Sequence, residues 1–150
     1  PDSFSPEELS RQFRDIASHE FFHIITPLTV HSSEIGDFDF IDTKMSKHLW
    51  MYEGITEYAA HHSQLVSVSI SLDEYLQRQA GKIQVSRTYF NDTLPFTLLS
   101  SEVLGAHKEQ YQNVYQKGAL IALCLDVKLL QLSSGKISLR NVMDQLGKKY

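Results

Sequence analysis

Cysteine is nearly missing from this chain. Cys124 stands alone among 150 residues, so no internal disulfide framework is available, and a lone thiol assigns no redox compartment. A basic excess is missing too: 14 Lys+Arg face 18 Asp+Glu, a formal net charge of −4, which leaves no electrostatic footprint for nucleic acid. No apolar run reaches the roughly 18–20 residues that span a bilayer; the longest, around Ala119–Leu125, ends at Asp126. There is no internal repeat, no low-complexity tract and no signal-like apolar stretch. The first residues are Pro1-Asp2-Ser3, without an initiator Met, and the expectation is a processed product or an excised piece of a longer chain. Cytoplasm and periplasm suit this composition equally. What the chain has in excess is histidine, seven in all, and function is best sought there.

The pattern is mainly α. Ser5-Pro6-Glu7-Glu8 reads as a helix start: Ser caps free N–H groups, Pro suits the first turn, and acids favour the positive end of the dipole. Leu9, Phe13, Ile16, Ala17, Phe21 and Ile24 then recur at helical spacing, which predicts a buried face, and Pro27 ends the helix. Residues 27–47 read as loop. A second helix is expected from about Lys47 to Val66. A third starts at Ser71 and is expected to end near Gly81, and residues 82–114 form a long, partly helical connection. Tyr115–Leu132 is apolar nearly all round, as a central buried helix should be, with Cys124 as a buried thiol. Ser138 caps a last helix, Leu139–Lys148. Leu65–Ile70 is the best strand candidate, and a thin one.

The first helix contains His19-Glu20-Phe21-Phe22-His23. Residues four apart share a helical face, so the two imidazoles can reach one metal ion, while Glu20 is placed to meet a water on that metal instead of the metal itself. Catalytic zinc normally takes three protein ligands and keeps a fourth position open. One variant of the motif supplies the third as a histidine six residues further on; here that position is Thr29, and the glycine expected at 26 is Thr26, so that variant is excluded. The next helix offers Glu53 within Trp50-Met51-Tyr52-Glu53-Gly54-Ile55-Thr56-Glu57-Tyr58, and Glu53 is the best third-ligand candidate. Glu57, one turn on, shares its face and is a candidate to accept the second ring N–H of a zinc histidine, with a surface glutamate as the alternative.

HEFFH followed about thirty residues later by LWMYEGITEY resembles the gluzincin peptidases. Tyr115 to Asp126, and the ending from Ser134 through Val142-Met143, resemble the glycyl aminopeptidase family, whose members often carry a PDZ domain. The resemblance runs from about residue 9 to 150 and is weakest between 83 and 106. It implies a thermolysin-like helical catalytic domain with little or no sheet. His19, His23 and Glu53 would ligate Zn2+, Glu20 would be the general base, and Tyr115 would face the substrate carbonyl. The implied function is hydrolysis of peptide bonds, aminopeptidase-like, through a zinc-bound water activated by Glu20, on a peptide or protein substrate. One departure stands out. Many members carry Trp-Asn and a basic segment after the second histidine; this chain has Ile24-Ile25-Thr26-Pro27-Leu28-Thr29 beside the cleft, so the residue preference in the family's name is left open. Nothing here resembles the family's upstream β-rich region and no PDZ module follows Tyr150, so residues 1–150 read as one catalytic domain of a longer chain. A catalytically silent zinc domain, used for peptide binding or assembly, is the rival reading.

Other candidates are weaker. Tyr115 also reads as an ordinary aromatic opening a core helix, and Tyr111, one turn earlier, competes for its role. His31 and His48 sit on or beside the loop over the site; His31 is kept as a candidate substrate contact against the plainer reading of exposed loop histidines. His61-His62 are read as ending a helix and His107 as solvated.

Overall fold

The computed structural model describes residues 4–149. Among them there are seven α-helices and no strand: α1 Pro6–Phe22, α2 Ser33–Gly36, α3 Leu49–Val66, α4 Leu72–Tyr89, α5 Phe96–Glu102, α6 Asn113–Leu132 and α7 Leu139–Lys149, with a 3-10 turn at Lys108–Gln110. None is long and apolar enough to cross a membrane. The local signals at the helix starts are realised. Glu8 N–H donates to Ser5 Oγ at 3.2 Å while Ser5 N–H donates to Glu8 Oε2 at 2.8 Å, a reciprocal capping box with Pro6 in the first turn. Ser71 Oγ accepts from Glu74 N–H at 3.1 Å. Ser138 Oγ accepts from Asn141 N–H at 3.4 Å.

The centre of the molecule is the pair α3 and α6, which make the most extensive helix–helix contact. They meet at Gly54 and Gly118. A Cβ built on Gly54 would lie 2.5 Å from the Gly118 carbonyl carbon, so two backbones touch where no side chain intervenes. Apolar clusters lie on either side of this crossing. One joins Ile55 and Tyr58 to Ala119, Ala122, Leu139 and Met143; the other joins Leu49 to Leu99, Val103 and Val114. Fully burying a side chain of this size stabilises by about 1.5–3 kcal/mol. Helix α1 packs on α3, α4 on α6 and α3, and α7 on α6.

Several expectations are corrected. The apolar stripe of α1 faces outward: Phe13 is 68% and Ile16 58% exposed, Leu9, Ala17, Phe21 and Ile24 are exposed as well, and no residue of this helix is fully buried. The inward side carries Arg14, Asp15, Ser18, His19, Phe22 and His23 instead, with Asp15 held by Arg78 of α4 and His19 by Glu53 and Glu57 of α3. Polar contacts, not the hydrophobic stripe, set the rotation of this helix. Helix α4 does not end at Gly81 but runs eight residues further, because Lys82 and Ser86 on its next turns are buried against α3 and α6. That packing outweighs the roughly 1 kcal/mol that a glycine costs in a helix interior. Leu65–Ile70 is no strand: Val68 takes φ +58°, and Ser69 N–H returns to Gln64 O at 2.8 Å, closing the end of α3. Histidines 61 and 62 therefore lie inside α3 rather than at its end. Helix α6 is buried along one side only. Leu125, Val127 and Leu130 are exposed, Cys124 is exposed too, and Asn113 and Asp126 are buried among the apolar residues. Asp126 earns its place there: Oδ1 accepts Leu139 N–H at 2.6 Å, tying α7 to α6, and Oδ2 accepts the Tyr58 hydroxyl. His107 is half-buried, with Nε2 3.6 Å from Glu102.

Candidate metal centre

Helix α1 delivers His19 and His23 to the groove it forms with α3, and their rings meet edge-on with centroids 4.8 Å apart. From α3, Glu53 Oε2 comes within 3.2 Å of His19 Nε2 and 3.7 Å of His23 Nε2. Two donors bound at about 2.1 Å to one tetrahedral ion are separated by about 3.4 Å, the edge of the tetrahedron. Glu53 Oε2 therefore stands near that spacing from both ring nitrogens. The ligating atoms of His19, Glu20 and His23 also lie within 4.8 Å of one another. Of the two glutamates, Glu53 is the better donor: one oxygen approaches both imidazoles, while Glu20 is exposed toward the cleft.

The outer nitrogens of both rings are held. His23 Nδ1–H donates to the carbonyl of Thr26 at 2.8 Å. Thr26 is itself buried, with Oγ1 3.1 Å from Thr56 Oγ1 and 3.4 Å from Tyr52 O on α3. The buried Thr26 side chain thus anchors the carbonyl that fixes this ring. His19 Nδ1 faces Glu57 Oε2 at 2.9 Å. Such partners fix the tautomer and leave Nε2 free to ligate.

The two sides of this pair titrate in opposite directions. Burial opposes charge on His19, yet its hydrogen bonds to Glu53 and Glu57 outweigh that and push it up to about 9. Burial likewise opposes charge on Glu57, but the His19 hydrogen bond and the Lys82 ammonium hold it down at about 2. The site thus concentrates negative charge around one imidazole, where a proton or a metal cation serves the same electrostatic purpose.

Tyr115 stands on α6 with its ring 5.7 Å from that of His19. Its hydroxyl lies 3.1 Å from the Tyr111 hydroxyl. Burial, the Tyr111 hydrogen bond and the Glu53 charge all raise it, so at neutral pH it remains a proton donor. His19, Glu20, His23, Glu53, Glu57 and Tyr115 line one cleft of about 370 Å³, together with Asp15 and Ile16. A larger hollow of about 720 Å³ beside α7 is lined by none of them. Tyr111 reaches the cleft only through Tyr115. His31 does not line it: its Nδ1–H donates to Pro27 O at 2.7 Å, within its own loop. His48 is exposed.

Sequence reasoning missed three residues behind the site. Lys82 Nζ lies 2.7 Å from Glu57 Oε1, and His61 Nε2 3.6 Å from the same oxygen. Arg78 bridges Asp15 of α1 at 2.9 Å and Glu74 at 2.7 Å. The signal was present: Tyr75, Gln79, Lys82 and Ser86 recur at helical spacing and form the buried face of α4. It was invisible to a search for apolar periodicity because three of the four are polar.

A helical scaffold carrying an HExxH segment, with a carboxylate from the neighbouring helix at the same point, defines the class as a candidate metal-dependent one. The M61 glycyl aminopeptidase profile matches residues 12–121, and the chain belongs to that family. Among solved structures it is similar to an aminopeptidase N family protein from Idiomarina loihiensis, with a TM-score of 0.83 and 25% identity. The match covers 99% of this chain and 26% of that one, so the chain spans about a quarter of that protein's length. No curated protein matches the chain.

Proposed function

We propose that this chain is the zinc-binding catalytic part of an aminopeptidase-like peptidase. The observation that carries the reading is the convergence of His19 Nε2, His23 Nε2 and Glu53 Oε2 at 3.2 and 3.7 Å, inside a cleft that also presents Glu20 and Tyr115. Two nitrogens and one carboxylate oxygen match the preference of zinc for a catalytic site, with one position left for water or substrate. When bound, zinc supplies Lewis acidity and lowers the pKa of a water toward ~7.

The remaining work falls to the chain's own residues. Glu20 lies beside the two histidines and is exposed to the cleft, which suits a carboxylate that takes the proton of the attacking water and passes it to the departing amine. Tyr115, neutral across the physiological range, donates a hydrogen bond to the carbonyl oxygen as charge develops there. Thr26 and Glu57 hold the rings of His23 and His19 in place. A peptide enters from the open side of the cleft, where Asp15 and Ile16 of α1 form its wall.

The test is metal content followed by hydrolysis of a peptide library by the full-length protein, with and without chelator. Stoichiometric zinc with chelator-sensitive cleavage supports the proposal. Zinc without cleavage points to a silent metal domain, and a protein that takes up no zinc at neutral pH overturns it.

A further inference from the structure

Helix α4 is built the wrong way round for a helix docked by hydrophobic burial. Leu72, Leu76, Ala80 and Ile83 follow one another at helical spacing and are exposed, while Tyr75, Gln79, Lys82 and Ser86 are buried. A lysine is among the residues least often buried without a partner. Lys82 is nonetheless only 7% exposed. Its Nζ donates to Glu57 Oε1 at 2.7 Å, and the other oxygen of the same carboxylate faces His19 Nδ1 at 2.9 Å. Arg78 and Ser86, one turn to either side, fasten the helix to Asp15 of α1 and Asn113 of α6. These contacts fix the height of Lys82 along the groove.

We propose that Lys82 is a positioning residue for the metal site, acting through Glu57 on the orientation and donor strength of His19. The inference rests on the zinc reading given above. A carboxylate with two free oxygens can swing about its stem; one anchored by a buried ammonium presents a single oxygen in a fixed direction to the imidazole N–H. That N–H then sets the tautomer in which Nε2 would carry the lone pair that a metal takes. The bare alternative is an ion pair that holds α4 to α3 and nothing more. The two readings part on metal affinity: an ion pair of that kind supports folding but has no reason to change zinc binding in folded protein.

The experiment measures zinc dissociation constants by chelator competition in the full-length protein for wild type, K82M, E57Q and the double variant E57Q/K82M. Loss of an outer partner of a zinc ligand typically weakens affinity 10–100-fold. The expectation is a loss of that size in E57Q, a similar loss in folded K82M, and a double variant no weaker than E57Q alone, because Lys82 acts only through Glu57. Cobalt-substituted protein adds a spectroscopic readout, its visible band shifting in E57Q and K82M alike. K82M leaves a buried carboxylate without its counter-charge; should it not fold, K82R keeps the counter-charge but moves the donor atoms, and wild-type zinc affinity in folded K82R overturns the proposal while a loss of the size seen in E57Q supports it. Wild-type affinity in folded K82M overturns it, as does a further tenfold loss in the double variant relative to E57Q. A wild-type protein that binds no zinc removes the metal reading and this inference together, whereas zinc binding untouched by K82M removes the inference alone.

Discussion

Gly54 and Gly118 allow α3 and α6 to touch, and replacing each by alanine separates stability from chemistry. A Cβ on Gly54 would sit 2.5 Å from the Gly118 carbonyl carbon and 2.6 Å from its Cα. Carbon atoms rest at about 3.5–4.0 Å, so the helices must part by roughly 1 Å, and a gap of 0.5–1 Å forfeits a quarter to a half of each dispersion contact across it. Overpacking of this kind costs about 1–3 kcal/mol or more. Because the clash is with backbone at 2.5 Å, the upper end of about 3 kcal/mol applies; alanine returns about 1 kcal/mol of helix propensity, leaving G54A about 2 kcal/mol less stable. A Cβ on Gly118 is milder, with Gly54 Cα and Trp50 O both at 3.1 Å. A shift of a few tenths of an ångström relieves it, and the propensity gain of about 1 kcal/mol roughly cancels the strain, so G118A should stay near wild type.

The site reports the same displacement in a second way. The three proposed zinc donors lie on α1 and α3, whereas Tyr115 lies on α6, three residues before Gly118. Parting α3 from α6 moves Tyr115 away from Glu53 while leaving His19, His23 and Glu53 together. G54A should therefore keep zinc affinity within a few-fold and lose turnover, where a misplacement of 1 Å is capable of costing about 100-fold. Urea denaturation, zinc competition and peptidase assay of both variants measure the three quantities. A G54A protein as stable as wild type, or less perturbed than G118A, would refute the close contact; equal losses of zinc and turnover would refute the division of labour between the helices.

The other substitutions probe individual groups. E20Q should bind zinc as wild type does and lose hydrolysis by about 10²–10⁴, the range supplied by a general base; full activity in that variant overturns the assignment of Glu20. E53A should weaken zinc by more than the 10–100-fold typical of an outer partner, read by chelator competition. T26V removes a buried hydroxyl 3.1 Å from Thr56 and should cost about 1–3 kcal/mol in a urea melt. His61 gives a pH dependence: burial first, then the Lys82 and Arg78 cations, lower its pKa, against the opposing charges of Glu57 and Asp15. The unfolded chain then takes up the proton first as pH falls below about 6.5, so this contribution to stability is present above pH 6.5 and lost as pH falls through the lower folded value. Between pH 7.5 and 5.5 the wild-type urea midpoint should drop more than that of H61Q, and parallel curves would count against a buried neutral ring.

Whether a helix forms and which of its faces packs are separate questions, and the sequence answered them unequally. Ser5 with Glu8, and Ser71 with Glu74, are local signals decided within one turn, and both starts were legible. The HExxH spacing brings two imidazoles to one face whatever surrounds the helix, so the first pair was legible as well. Glu53 required a second helix to lie alongside the first, which an aromatic, glycine-bearing segment at a suitable distance suggested without proving. The choice of face failed for α1 and α4, for a common reason. Periodicity assumes that apolar residues point at the neighbour, but these helices meet α3 and α6 through Ser18, His19, Lys82 and Ser86, meet each other through Asp15 and Arg78, and turn Phe13, Ile16, Leu76 and Ile83 outward. Converging charges and hydrogen bonds at the candidate metal centre fix the rotation of both helices, because an imidazole or ammonium turned away from its partner would leave Glu57 buried and uncompensated. The inverted helices are thus the two that flank the proposed ligands. A polar stripe buried at helical spacing, next to an apolar stripe that finds no neighbour, is the trace that the site's chemistry leaves on the fold.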